Sequence, residues 1–335
     1  MKKVIIAVAI ALVAVAGFFA ASFIADRKLP GFSKSIDIYV YPDESPSAVL
    51  DSIIAGGAVR REGSLRRAFR HEGTMDAVQP GHYTVGAGSS VTYLARMLKF
   101  GWQTPVNLTL SGSIRSRGSL AKKIGAQMLV DSAEVASALN SPDFLEANGT
   151  DTTLVFTKII PNTYSIKWTE GAEAILERLF KEADAWWTPE RLAKASAKGL
   201  TREEVSTLAS IVDGESHYAP ELPRIAGVYL NRLRTGMLLQ ADPTVSFCFG
   251  YTLKRVLNRH LEYDSPYNTY LYKGLPPGPI SCPPVSCLEA VLGAERHDYI
   301  FFCANPSMDG THIFASTYQQ HLRNAKAFQQ ALTRR

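Results

Sequence analysis

The sequence lacks the patterns of several large functional classes. It has no long run of Lys and Arg, and its 335 residues carry a formal net charge of only +5, so no nucleic-acid partner is implied. It also lacks a glycine-rich phosphate-binding loop and the G-x-S-x-G elbow of serine hydrolases. Four of its histidines, His217, His260, His297 and His312, are not at helical metal-ligand spacing. We therefore expect neither a metal nor a cofactor.

Cysteine is scarce and confined to the last third of the chain. Cys282 and Cys287 do not have the C-x-x-C spacing of a zinc or redox site. The other two are Cys248 and Cys303. If the chain is exported, a disulfide can form. The sequence leaves two alternatives open, buried free thiols or one bridge.

Charge is absent from residues 4–25, which read "VIIAVAIALVAVAGFFAASFIA". As a helix this stretch spans roughly 33 Å, enough for a bilayer core of ~30 Å. Lys2 and Lys3 precede it, which predicts a cytoplasmic N-terminus and an exported remainder. A cleaved signal peptide is the alternative, but its apolar core is usually only ~7–15 residues. We favour an uncleaved single-pass anchor over residues 1–27.

A strand–turn–helix layout recurs three times before about residue 135. In the first copy, "SIDIYVYPDESPSAVLDSIIAGG", Ser45 is the candidate helix cap and Pro46 the first helical residue. In the second, Ser89 or Ser90 is the cap and Gly101 ends the helix. The segment "VNLTLSGSIRSRGSLAKKIG" is the third. This layout predicts a small α+β domain over residues 28–135.

The remaining residues, 136–335, predict a helical connection and a mixed α+β domain. Thr201 and Glu204 form a capping box that begins a helix with a buried apolar face. That helix ends at "DGES", and a second helix is ended by Gly236. Loops rich in proline follow, and the chain ends with two strands and a helix. The predicted fold class is α+β.

Glu215 lies where the apolar helix ends, and this position suggests chemistry. Desolvation there would raise its pKa, and a carboxylic acid still protonated near neutral pH can donate a proton to a glycosidic oxygen. An ordinary surface glutamate is the alternative, and from this segment alone it is the favoured interpretation. A glycosidase needs a second carboxylate, for which Asp213 and Asp242 are candidates. Residues two apart on a helix do not share a face, which disfavours Asp213.

Four motifs in order carry a resemblance to a known family. They are "LASIVDGES", "IAGVYLNRLRTGMLLQADPTV", "SPYNTYLYKGLPPGPI" and "DGTHIFASTYQQHL". Together they resemble the MltG (YceG-like) endolytic murein transglycosylases. The segment "VQPGHYTVGAGSSVTYLARMLKFG" resembles the LysM-like region that precedes the catalytic domain in that family. The resemblance implies a LysM-like domain over 28–135 and a YceG-like catalytic domain within 136–335.

The resemblance also implies roles for individual residues. The family's catalytic acid falls on Glu215. The matching motifs make a further set of residues candidates for glycan binding: Ser216, Gln240, Asp242, Thr244, Asn268 and Thr269. The sequence departs from the family at Asp213, where glutamate is common, and at "ISCPPVSC", which replaces the usual Asn-Pro-Gly.

The implied activity is a lytic transglycosylase that cleaves the MurNAc–GlcNAc bond of peptidoglycan strands and leaves a 1,6-anhydroMurNAc end. The implied location is the bacterial inner membrane, with the catalytic domain on the outer side, and cell-wall synthesis proteins are possible partners. Two alternatives remain open. A muramidase would use water and a second carboxylate, and a scaffold would bind peptidoglycan without cleaving it.

Overall fold

Helices dominate the structure, and the few strands are short. A computed structural model describes residues 1–333, in which fifteen α-helices and six strands form a mixed helix and strand fold, in agreement with the prediction. The strands form three two-stranded sheets, in which β1 (Ile36–Val40) pairs with β2 (Gly81–Val85), β3 (Val106–Thr109) with β4 (Thr163–Ile166), and β5 (Phe301–Ala304) with β6 (His312–Ala315).

The chain divides into two compact units with discontinuous boundaries. The first unit is residues 1–108 with 164–170, and the second is residues 109–163 with 171–335. Residues 109–135, which the repeated layout grouped with the first domain, thus lie in the second unit. The division at 28–135 and 136–335 remains a prediction.

The first unit begins with the predicted apolar helix. Its helices are α1 (Lys2–Lys28), α2 (Pro46–Ala55), α3 (Glu62–Glu72) and α4 (Val91–Phe100). Helix α1 has a mean hydropathy of 2.9 and is the one helix in residues 1–333 that is long and apolar enough to cross a membrane. Its apolar side chains from Val4 to Phe19 are exposed.

Capping residues fix the helices of the first unit where the sequence predicted them. Ser45 Oγ accepts a hydrogen bond from the Ala48 N–H, 3.2 Å away, at the start of α2. Ser90 does the same for Tyr93 at the start of α4, which ends at Gly101 with φ 67°. Strands β1 and β2 are antiparallel, and α2, α3 and α4 bury their apolar faces with them in one core.

The second unit holds the remaining helices, most of them short. They are α5 (Arg117–Gly125), α6 (Ser132–Ala138), α7 (Pro142–Ala147), α8 (Ala172–Trp186), α9 (Pro189–Ser196), α10 (Arg202–Glu215), α11 (Leu222–Thr235), α12 (Asp242–Cys248), α13 (Asn258–Leu261), α14 (Val285–Leu292) and α15 (Tyr318–Thr333).

Helix α10 is the centre of the second unit. Thr201 and Glu204 form the predicted capping box at its start. Every residue from Val205 to Val212 is buried, because α11 and α14 pack around it and leave no solvent face. A helix surrounded in this way must satisfy its polar side chains internally. Ser206 and Thr207 do so by donating to carbonyls one turn back.

Ser210 of α10 holds a loop from a distant part of the chain. Its hydroxyl donates to the Thr207 carbonyl at 2.7 Å and accepts from the Ile280 N–H at 3.0 Å. The Ile280 carbonyl in turn accepts from the Tyr251 hydroxyl at 2.6 Å. The segment "GLPPGPI", which ends at Ile280, is thus fixed on α10 by its backbone.

All four cysteines are free thiols. Cys282 donates to the Ile159 carbonyl, and Cys248 donates to the Thr244 carbonyl. Burial raises the pKa of Cys287 to about 12. Of the two alternatives that the sequence left open, the structure contains the thiols.

We expect Ser210→Ala to lower the free energy of unfolding of the second unit by roughly 1–3 kcal/mol, because it leaves the buried Ile280 N–H without an acceptor. Ser206→Ala is the matched control, since its hydroxyl bonds only within its own helix. Urea denaturation of both variants checks the prediction. Equal midpoints for the two variants would contradict it.

Candidate active site

Glu215 is the last residue of α10, at the point where the helix leaves the core. Ser216 follows with φ −151°, an extended conformation that ends the helix. The α10 residues from Val205 to Val212 are buried, so the part of the helix that leads to Glu215 is held firmly in the core. The side chain is partly exposed along a cleft, while its carboxyl group is surrounded by protein.

The surroundings of the Glu215 carboxyl favour its neutral form. Burial raises the pKa of Glu215 to about 7. The nearby Asp242 carboxylate also raises this pKa, whereas a hydrogen bond from Tyr229 and the charge of Arg232 oppose the rise. A carboxyl group in this range is partly protonated at neutral pH and can serve as an acid and then as a base.

Tyr229 of α11 is the direct partner of Glu215. Its hydroxyl donates to Glu215 Oε1 at 2.5 Å. The Tyr229 ring is 1% exposed and packs edge-on against Phe302 of β5, with ring centroids 6.0 Å apart. Burial and the adjoining carboxyl raise the pKa of Tyr229 well above its ordinary value. The phenol therefore remains a hydrogen-bond donor at any pH where Glu215 titrates.

Arg232 lies one turn further along α11 and holds the loop beside Glu215. It is 7% exposed. Its guanidinium donates to the carbonyls of Leu239 and Ile300, both at 2.7 Å. Burial lowers its pKa, but guanidinium groups stay protonated in proteins. Arg232 thus joins the start of β5 to the loop that leads into Asp242, and its charge favours the ionised form of Glu215.

Asp242 and Gln240 flank the catalytic candidate on that loop. Asp242 is exposed at the start of α12 and accepts a hydrogen bond from the Tyr270 hydroxyl at 2.6 Å. Gln240 is exposed with φ 50°, and its N–H donates to the Thr269 carbonyl. Gly214 allows α12 to approach, because a Cβ at this position would lie 2.5 Å from Pro243. This close packing brings Asp242 near enough to affect Glu215.

Three of the predicted glycan-binding residues are buried in the same region. Thr244 and Thr269 share a hydrogen bond of 2.9 Å between their hydroxyls, and Thr269 also accepts from the Ala241 N–H. Asn268 donates to the carbonyls of Leu261 and Tyr263. In this conformation their side chains hold the loops in shape. Binding of glycan by these three residues remains a prediction.

Ser216 and Asp213 lie on either side of Glu215 and face different surroundings. Ser216 lines the cleft beside Glu215, and its hydroxyl accepts from the Tyr218 N–H at 3.1 Å. Asp213 instead lines an adjoining cavity of about 470 Å³, which also contains Cys282 and shares His217 with the cleft. Burial raises the pKa of Asp213. The structure therefore brings Asp242, and not Asp213, to the acid candidate.

The cleft beside Glu215 has a volume of about 690 Å³. It is lined on one side by residues 214–218 and on the other by the turn of the β5–β6 hairpin, from Ala304 to His312. Phe328 and Leu332 of α15 complete the lining. Glu221 fixes the hairpin, since its carboxylate accepts from the His312 N–H and bonds the His312 ring, both at 2.9 Å.

A larger cavity of about 1070 Å³ lies elsewhere in the second unit. It is lined by Lys198, Arg234, Arg296 and the "GLPP" segment, among others, and does not include Glu215. The size of a cavity is not in itself evidence of an active site. The smaller cleft contains the carboxyl whose pKa is near neutral, so we assign the candidate active site there. Within residues 1–333, no group of three or more His, Cys, Asp or Glu side chains is arranged to hold a metal ion.

Sequence reasoning missed Tyr229, Arg232, Tyr270 and the Glu221–His312 pair. A signal for the first two is visible in retrospect. Ile225, Tyr229 and Arg232 follow at spacings of four and three on α11, so a phenol and a guanidinium lie on the apolar, core-facing stripe. Buried polar groups at such positions need partners, and here those partners surround Glu215.

Known proteins resemble this chain in sequence. A model of the YceG-like family matches residues 38–327. The endolytic murein transglycosylase of Bacillus subtilis is 26% identical over 305 residues, covering 86% of this chain and 83% of the relative. That of Streptococcus pneumoniae D39 is 30% identical over 171 residues, covering 50% of this chain and 31% of the relative.

A solved structure shows the same likeness in three dimensions. The 2.6 Å crystal structure of a yceG-like protein from Listeria monocytogenes superposes with a TM-score of 0.58 at 25% sequence identity. It covers 87% of this chain and 98% of its own. The family match spans both compact units and contains every residue of the Glu215 site named above except Phe328 and Leu332. The chain belongs to the YceG-like family.

Proposed function

We propose that the protein is a membrane-anchored lytic transglycosylase that cleaves peptidoglycan within its glycan strands. The observation that carries the proposal is the Glu215 carboxyl, which lies in an open cleft with a pKa near 7 and a tyrosine donor on one oxygen. The relatives named as endolytic murein transglycosylases support the substrate class.

Glu215 would act in both halves of the reaction. As the acid, it gives its proton to the oxygen that joins MurNAc to GlcNAc, and the bond from the MurNAc anomeric carbon to that oxygen breaks. The C6 hydroxyl of the same MurNAc then attacks the anomeric carbon and returns its proton to Glu215. The product is a 1,6-anhydroMurNAc end, and no water is consumed. Intramolecular attack gains rate from proximity.

Tyr229 fits this cycle because its hydroxyl stabilises Glu215 while the carboxyl group is ionised. After Glu215 loses its proton, a buried carboxylate requires a donor, and the Tyr229 hydroxyl is in place at 2.5 Å. Arg232 adds a favourable charge without a direct bond to Glu215. A carboxylate stabilised to this extent remains basic enough to accept the C6 proton.

A muramidase is the second candidate function, and the position of Asp242 favours it. Asp242 is close enough to raise the pKa of Glu215, so it could hold or activate a water molecule. Its bond to Tyr270 occupies one carboxylate oxygen. The chemical nature of the product distinguishes the two functions, because hydrolysis leaves a reducing end.

The helix α1 supports a location at the membrane, because its length and composition suit a single-pass anchor. With Lys2 and Lys3 on the cytoplasmic side, the residues after α1 would lie on the opposite side of the membrane. The segment of residues 78–101 would form part of a LysM-like glycan-binding region. Proteins of cell-wall synthesis would be partners at the same membrane.

The first prediction concerns Glu215→Gln, which keeps the shape and removes the proton. We expect fragment release from purified peptidoglycan to fall by roughly 10²–10⁴-fold, the usual effect of losing a general acid. Mass spectrometry should find anhydro ends with the parent protein. Asp213→Asn is the matched control, and we expect it to leave these ends unchanged because Asp213 faces another cavity.

Each alternative outcome of that experiment has a clear meaning. Reducing ends from the parent protein would replace the transglycosylase with the muramidase. Full activity of the Glu215→Gln protein would show that another residue is the acid. If folded parent protein released no fragments, the scaffold would be the remaining function.

The second prediction uses two variants that should shift the pH profile of kcat/KM in opposite directions. Cleavage requires protonated Glu215, so activity falls as pH rises through its pKa. Tyr229→Phe removes a hydrogen bond that lowers this pKa, so the loss of activity should occur at higher pH. Asp242→Asn removes a negative charge that raises the pKa of Glu215, so the loss of activity should occur at lower pH. Shifts in the same direction would contradict this account of Glu215.

The third prediction separates anchoring from catalysis. Deleting residues 1–25 should give a soluble protein that cleaves at the parent rate. Deleting residues 1–27 also removes Asp26 and Arg27, which bond Arg67 and Glu72. We expect this longer deletion to destabilise the first unit by roughly 1–2 kcal/mol, less than a fully buried pair would cost because Arg67 is part-exposed. Thermal unfolding of the two truncated proteins measures the difference, and identical curves would contradict it.

A further inference from the structure

The end of α1 is bonded to α3 and α4 and is not a free tether. Asp26 is 5% exposed, and Arg67 of α3 donates to both of its carboxylate oxygens at 3.0 Å. Thr92 of α4 donates to the Asp26 carbonyl at 3.0 Å. Arg27 pairs with Glu72 at 2.8 Å. A bidentate pair with one buried partner fixes orientation as well as distance.

The contacts also fix the direction of α3. Near the start of α3, Arg60 donates to the Phe32 carbonyl, beyond the end of α1. In the middle of α3, Arg67 meets Asp26, and at its end His71 packs edge-on against Phe23, with ring centroids 5.7 Å apart. Along α3 from its start to its end, the contacted residues therefore run backwards in sequence, from Phe32 through Asp26 to Phe23. The C-terminal end of α3 therefore approaches the apolar span.

This arrangement sets the depth of α3, given the membrane anchoring proposed above. An apolar stretch of 22 residues spans roughly 33 Å against a hydrocarbon core of ~30 Å. Asp26 and Arg27, directly after it, then lie at the level of the lipid headgroups. Because they bond Arg67 and Glu72, the second half of α3 lies at that level too.

Positive charge is concentrated at this end of the first unit. Arg96 shares Glu72 with Arg27, and Lys99 donates to the Glu72 carbonyl. We define the basic collar as the residues of this network and its neighbours on α1, α3 and α4: Arg27, Lys28, Arg67, Arg70, His71, Arg96 and Lys99. Three carboxylates lie among them: Asp26, Glu72 and Asp76.

The basic collar carries a net positive charge. With His71 neutral, its six fixed cations exceed the three carboxylates by three. Lys28 and Arg70 are exposed, and neither makes a side-chain ion pair within residues 1–333. Phe100 and Trp102 stack beside Lys99, with the two rings 57% and 48% exposed. Aromatic and basic side chains together are typical of residues at a membrane interface.

We propose that the basic collar is a docking surface for the anionic phospholipid headgroups around the anchor. Lys28 and Arg70 bind lipid phosphates, and the first unit rests on the bilayer surface. Each Lys or Arg near an anionic surface contributes attraction that salt screens. The chain is then held to the membrane at two places, through α1 in the bilayer and through the collar on its face.

The test uses the full chain in lipid nanodiscs, either of phosphatidylcholine alone or of phosphatidylcholine with phosphatidylglycerol. Hydrogen–deuterium exchange is followed in peptides that cover residues 69–76. We expect exchange to slow by about fivefold in the anionic discs, the effect of one basic residue at a charged surface. High salt should abolish the difference.

Two double variants make the test specific. Lys28→Glu with Arg70→Glu reverses the two unpaired collar charges and should remove the slowing. Lys34→Glu with Arg61→Glu makes the same change in net charge at the opposite end of α3, where both side chains are exposed. This control should keep the slowing.

The outcomes separate docking from anchoring. If the parent protein inserts into the discs but exchanges equally in both lipids, the docking proposal is wrong. The docking proposal is also wrong if both double variants lose the slower exchange, because the net charge of the protein would then be the cause of the slowing. If the parent protein does not insert into the discs at all, the anchoring proposal fails, and docking fails with it.

Discussion

The contact between the Glu215 carboxyl and the Tyr229 hydroxyl is the interaction on which the account depends. The carboxyl group lies at the end of a helix whose middle, from Val205 to Val212, is buried, and its one direct side-chain partner is a neutral donor at 2.5 Å. A stronger cationic partner would hold the carboxyl ionised and useless as an acid. Full exposure would do the same, because water solvates the charged form.

Much of the second unit can be understood as support for this contact. The capping box at Thr201 and the packing of α11 and α14 fix the axis of α10, and Gly214 lets α12 come close at its end. Arg232 holds the neighbouring loop through two carbonyls, and Glu221 holds the hairpin that closes the other side of the cleft. These supports come from distant parts of the sequence, so the cleft exists only when the unit is folded.

Features set by local sequence were predictable. The caps at Ser45, Ser90 and Thr201 and the helix end at Gly101 follow from residue preferences within a single turn, and the structure confirms them. The helix end alone favoured an ordinary surface glutamate at position 215, and the family resemblance made Glu215 the acid candidate. Features set by long-range packing were not. Tyr229 looks like an ordinary core residue in sequence, and its partner on α10 is known only once the two helices pack.

The same distinction explains the remaining differences. Asn268 and Thr269 lie in a motif that the resemblance assigns to glycan binding, yet their side chains are occupied by buried hydrogen bonds within the loops. The return of residues 164–170 to the first unit has no local signal, because it depends on where that segment packs. The Asp26–Arg67 pair joins residues 41 positions apart, and neither one reveals its partner in sequence.

The most direct test of the account is a titration of the Glu215 carboxyl itself. Carbon-13 NMR of protein labelled at glutamate side chains, with Glu215→Gln used to assign the signal, would follow this one group as pH changes. The account predicts a midpoint near pH 7, as the burial of the carboxyl requires. A midpoint near the ordinary glutamate pKa of 4.5 would show that the group is ionised at neutral pH, and Glu215 could then not be the acid that starts the reaction.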